Sequence, residues 1–144
     1  MEHPFYDDIS ISQDKGIYEF VSKGKKEIQK IVVFSKLDEY YNLGLGDLLQ
    51  DGEINFKTVS DNGDMPLIIA TVVQIIIQYT NFFSENIVSI YGSNRIRTLL
   101  YERAIRNNFE ELNMLFDIWG IREDRVKEMF NPSNSYLGFL VKRK

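Results

Sequence analysis

Apolar and polar residues alternate through much of the first sixty positions. Ile17, Tyr18, Phe20 and Val21 lie in a β-branched and aromatic run, and Ser22-Lys23-Gly24-Lys25 follows as a turn signal. Residues 28–34 are again rich in β-branched side chains. In 40–47, Tyr41, Leu43 and Leu45 alternate with Asn42, Gly44 and Gly46. That period of two predicts a strand with one buried face and one face of little bulk. Asp51-Gly52 signals a hairpin, and 53–59 reads as a fourth strand. Four strands joined by short turns predict an antiparallel meander.

The pattern changes after Ser60-Asp61-Asn62-Gly63-Asp64. Asp64 is a candidate N-cap, and Pro66 belongs in a first helical turn, where its missing N–H costs nothing. Residues 67–83 carry one polar stripe, Thr71, Gln74, Gln78 and Asn81, and are otherwise apolar. The stripe's spacing and the segment's length predict a largely buried helix, despite many β-branched residues. Beyond it, 87–91 reads as a strand and Gly92-Ser93-Asn94 as a turn. Residues 95–106 read as a second helix with Ile96, Leu99, Leu100 and Ala104 on one face. Alternation over 112–119 suits a strand, 122–130 a short helix, and 136–141 a last strand. The order, ββββ-α-β-α-β-β with a short helix before the final strand, indicates an α+β fold. No linker or repeat divides residues 1–144, so one domain is expected, with 1–12 as a flexible leading segment.

Composition narrows the chemistry. With no cysteine, disulfides, thiol nucleophiles and thiolate metal sites are absent. The single histidine, His3, stands beside Pro4 near the start, which leaves little basis for histidine acid–base or triad chemistry. No metal and no cofactor is expected, and enzymatic activity is left open. A net charge of −4 means that contact with nucleic acid would require a local basic patch. The first ten residues lack an apolar run, and 67–79 is short for a bilayer and interrupted by Thr71, Gln74 and Gln78. A cytoplasmic protein without membrane contact is the expectation.

Five stretches carry a family resemblance: 17–24, 41–47 (Tyr-Asn-Leu-Gly-Leu-Gly-Asp), Asn62-Gly63-Asp64, 91–101 and 139–144. Together they resemble an uncharacterised family of small proteins found mainly in Bacteroidota-type bacteria. The resemblance spans nearly the whole chain and implies a bacterial, stand-alone domain. It supplies no activity.

The segment with the most chemical content is 91–106. A strand, a Gly/Ser turn and a helix start gather free backbone N–H groups and the positive end of a helix dipole. Gly92 permits close approach, Ser93 and Asn94 can cap or donate, and Arg95 and Arg97 bring guanidinium groups. Tyr101 shares the side of Arg97. These six residues form a candidate site for a phosphate-bearing ligand, either single-stranded nucleic acid or a nucleotide. An ordinary capped helix, its arginines paired with Glu102 or Glu110, accounts for the same residues. The Gly spacing matches neither a Walker loop nor a dinucleotide fingerprint.

Basic residues at 23–30, Arg103, Arg106 and Lys142-Arg143-Lys144 would extend the site if the fold brought them together. Two other classes compete with ligand binding. One is a protein-interaction module, half of a bacterial two-component, toxin–antitoxin-like pair. The other is a small metal-independent ribonuclease.

Overall fold

The computed structural model describes residues 4–57 and 62–144. The elements run β1 (Ser10–Ile11), β2 (Ile17–Lys23), β3 (Glu27–Leu37), β4 (Tyr40–Leu48), β5 (Ile54–Asn55), α1 (Met65–Phe82) and β6 (Val88–Ile90). They continue with α2 (Arg95–Asn107), α3 (Phe109–Leu115), β7 (Phe116–Ile121), β8 (Lys127–Met129) and β9 (Gly138–Arg143). The fold is α+β. Among the described residues the strands form one nine-stranded sheet in the order β1-β2-β3-β4-β6-β9-β7-β8, with β5 pairing β4.

The meander of the first half is present, with β2, β3 and β4 pairing antiparallel along their lengths. β6 then pairs parallel to β4, and the C-terminal strand β9 enters between β6 and β7. Pairing across the ladder puts Tyr18, Val32, Leu45 and Phe34, Leu43 on one face. That face packs under α1, where Phe34 and Tyr79 stack with ring centroids 3.8 Å apart.

Pro66 occupies the first turn of α1, as read from the sequence, and Ile68, Val72, Ile75 and Ile76 are buried. Its eighteen residues are long and apolar enough to cross a membrane, but most of that span is packed inside the protein as a core helix. Asp64 is the N-cap residue, as read from the sequence, but it makes no side-chain capping bond; its carboxylate accepts from Tyr6 and Ser22. One expectation about this helix fails. Thr71 is not on a wet stripe. It is fully buried, its hydroxyl donating to Leu67 O and accepting the Tyr6 N–H.

Tyr6 therefore ties down a segment expected to be flexible. Its ring stacks on Phe20 at 5.9 Å, and its hydroxyl donates to Asp64 while accepting the Lys23 N–H. β1 adds a short edge strand within the same region.

The second half departs from its pattern in three places. Residues 109–115 are helical, although alternation over 112–119 reads as strand; Glu110 and Glu111 in the first turn favour a helix start after Asn108. The strand begins only at Phe116, where Phe116 and Ile118 turn inward. Residues 122–130 form a turn and β8 instead of a helix. Arg125 adopts a left-handed φ of 70°, and its N–H donates to Arg122 O, which closes a hairpin. The fourth strand of the expected meander is only two residues long, and 58–59 of its expected span lie outside the described residues.

The third departure concerns α2, whose apolar face is split: Leu100 and Ala104 rest partly buried on the core, and Ile96 and Leu99 turn outward. It buries Arg97, Thr98, Tyr101, Glu102 and Ile105, whereas Ile96 is 65% and Leu99 41% exposed. The polar face turns inward because Arg97, Thr98 and Glu102 find partners there. Thr98 bonds Gly92 N and Asn94 O, and Glu102 accepts from Tyr136 N and Arg106.

Candidate ligand notch at the end of strand β6

β3 covers one edge of β4 throughout, so β5 and β6 must share the other. β6 pairs with residues 41–43 and β5 with residues 47–48, which leaves 44–46 without a strand partner on that edge. The gap is a notch in the sheet. Arg97, at the start of α2, fills part of it. Its guanidinium donates to Leu45 O at 2.9 Å and to Phe56 O at 3.4 Å, and the residue is 5% exposed. A backbone carbonyl freed from the ladder is thereby satisfied by a side chain.

A cavity of about 290 Å³ opens here, lined by Ser35, Asn42, Gly44, Phe56, Tyr91, Ser93, Arg97 and Tyr101 among others. The glycine face of β4 makes room for it. A side chain at Gly44 would run into the Phe56 ring, which lies over that face. Tyr91 is placed in the same way, its ring lying over Gly138.

The six residues singled out in the sequence divide into three groups. Ser93, Arg97 and Tyr101 meet in the cavity. Gly92 and Asn94 build the helix start. The Asn94 side chain accepts the Arg97 N–H at 2.8 Å, and Gly92 lies so close to Thr98 that a Cβ would strike its backbone. With Arg97 N–H and Thr98 N–H both committed to Asn94, the helix N-terminus offers less to an anion than its sequence suggests. Arg95 points elsewhere and donates to Tyr136 O at 3.1 Å.

Tyr101 is the unusual member. It is 4% exposed and lines the cavity, and its hydroxyl makes no hydrogen bond among the described residues. Burial pushes its phenol up to about 12, against the lowering pull of the Arg97 guanidinium. At neutral pH it is therefore a protonated donor beside a cation. On the far wall, Asn42 Oδ1 accepts from Ser89 at 3.3 Å, which turns the amide nitrogen into an available donor.

Ser35, Asn42, Phe56 and Tyr91 were not among the candidates from sequence. The signal that pointed toward them was the bare glycine face of 42–46, which marks where something approaches the sheet closely.

The remaining basic residues do not gather at the notch. Lys30 is buried against Asp47 at 2.5 Å, Arg106 bonds Glu102 and Pro132 O, and Arg143 bonds Asn81 and Ile77 O.

A family model matches residues 2–144. The chain belongs to DUF6934, a family of unknown function. No curated protein and no solved structure matches it. DUF6934 membership agrees with the resemblance carried by 17–24, 41–47 and 91–101, two of which build the notch. It assigns no chemistry, so a function for this DUF6934 chain must be argued from the site.

Proposed function

We propose that this domain binds a small phosphate-bearing ligand, of the size of a mononucleotide, in the notch between β5 and β6. The observation that carries this reading is the cavity onto which Tyr101 opens: the residue is 4% exposed, and its protonated hydroxyl, without a hydrogen-bond partner among the described residues, lies beside the Arg97 charge. A bound acceptor oxygen would take that hydroxyl's hydrogen bond in place of water. Ser93 and Asn42 supply further donors around the same space, Arg97 a positive charge held by Leu45 O and Phe56 O, and Phe56 and Tyr91 ring faces.

Size favours a nucleotide over a polymer. About 290 Å³ is at the lower end of small-molecule sites and suits a single nucleotide, not several stacked bases. A strand of nucleic acid would also need a line of available cations, whereas Lys30, Arg95, Arg106 and Arg143 are each engaged within the protein.

Calorimetric titration with nucleoside monophosphates, the matching nucleosides and inorganic phosphate tests this. The monophosphate should bind more tightly than its nucleoside, and Tyr101→Phe should weaken it about tenfold or more, the value of one hydrogen bond to a charged group. Equal binding of nucleoside and monophosphate, or no effect of Tyr101→Phe and Ser93→Ala, would overturn the reading.

A further inference from the structure

The apolar stripe of α2 begins in solvent and ends partly buried, with Ile96 and Leu99 exposed and Leu100 and Ala104 resting on the core. Ile96, Leu99, Leu100, Arg103, Ala104 and Asn107 recur at i, i+3, i+4, i+7, i+8 and i+11, one continuous side of a helix. Ile96 and Leu99 at its amino-terminal half are exposed. Its carboxy-terminal half, from Leu100 onward, forms one wall of a groove of about 290 Å³, opposite Leu67, Ile69, Ala70 and Val73 of α1. Stripe and groove are thus one apolar surface running along α2. A helix that turns its polar side inward while leaving part of an apolar stripe in water is shaped for a second contact.

Charge decides what kind of partner fits. Glu102 is the only acidic residue of α2 and is 3% exposed, so the outward face carries no carboxylate. Arg103 sits in the middle of the stripe, exposed and without an ion pair among the described residues. A second copy docking through this face would set arginine against arginine. We infer that this surface docks an amphipathic helix of another protein, one whose apolar side carries a carboxylate that meets Arg103. The anchors at i, i+3, i+4 and i+7 on α2 are the spacing by which helices seat in grooves.

A display library of sixteen-residue helical peptides, selected against the intact protein, provides the test. The enriched peptides should combine an apolar i, i+3, i+7 pattern with Asp or Glu. Their binding should be lost with Leu99→Asp, and selection against Arg103→Glu should enrich Lys or Arg instead. Both substitutions fall on exposed positions, so the fold is expected to survive them, and unchanged melting would show it. Tyr101→Phe should leave peptide binding intact, which separates this surface from the notch. Peptides insensitive to Leu99→Asp, or without an acidic preference that Arg103→Glu inverts, would overturn the inference. So would self-association of the free protein through this face, or exclusion of every peptide by a fatty acid in the groove.

Discussion

Removing one hydroxyl from Tyr6 should destabilise the protein by about 2 kcal/mol, the lower-middle of the range for a hydrogen bond to a charged group. The Asp64 carboxylate is 5% exposed, and its Oδ1 has no hydrogen-bond partner among the described residues. Tyr6 and Ser22, each at 2.5 Å from Oδ2, supply its hydrogen bonds there. Tyr6→Phe deletes one of the two and also removes the acceptor for Lys23 N–H. Lys23 is exposed, so water replaces that second bond and adds little to the cost. Tyr6→Ala additionally loses the ring stacked on Phe20, worth about 1–2 kcal/mol more. Urea unfolding at pH 7 measures both, with the slope checked for constancy. A companion thermal scan should show a fall of roughly 5 °C for Tyr6→Phe in a domain of this size. Deletion of residues 1–8 should cost at least as much as Tyr6→Ala. A Tyr6→Phe effect below about 0.5 kcal/mol would refute the reasoning and restore the picture of a free leading segment.

Three further outcomes follow from buried polar groups. Tyr18 is fully buried with an unpartnered hydroxyl, so Tyr18→Phe should be neutral or stabilise by up to about 1 kcal/mol in the same urea assay. Asp47→Ala removes the carboxylate bonded to the Lys30 ammonium, itself 1% exposed, and should cost about 1–3 kcal/mol. Burial holds the Tyr18 and Tyr101 phenols at about 12, whereas an unfolded tyrosine loses its proton near its ordinary value of about 10. Above that pH the unfolded state binds fewer protons. Stability should therefore be intact below about pH 10 and fall progressively toward pH 12, and Tyr101→Phe should lessen the fall in pH-dependent melting.

The parts of the fold that were legible in sequence are those where a local pattern and its tertiary setting agree. The alternation in 40–47, the turn at 22–25 and the proline-led apolar run of α1 each name their own structure. Where the two conflict, the pattern misleads for identifiable reasons. Residues 112–115 alternate like a strand, but a helix start after Asn108 claims them. Arg125 takes a left-handed backbone, which composition does not announce. Hydrophobic periodicity in α2 locates a face of which only Leu100 and Ala104 rest on the core, because Arg97, Thr98 and Glu102 take the inner side with their own partners. The site was legible in the same partial way. Ser93, Arg97 and Tyr101 converge because they follow one strand end and one helix turn. Asn42, Phe56 and Tyr91 join them through sheet pairing and a two-residue strand, contacts made over distances in sequence that no local motif encodes.

The most direct test of ligand binding at the notch is a two-dimensional amide NMR titration of the intact protein with adenosine monophosphate. The account predicts saturable shifts concentrated at residues 42–45 and 93–101, weakened in Tyr101→Phe. Spectra unchanged at millimolar ligand, or shifts confined to the lysine-bearing turn at 23–26, would contradict it.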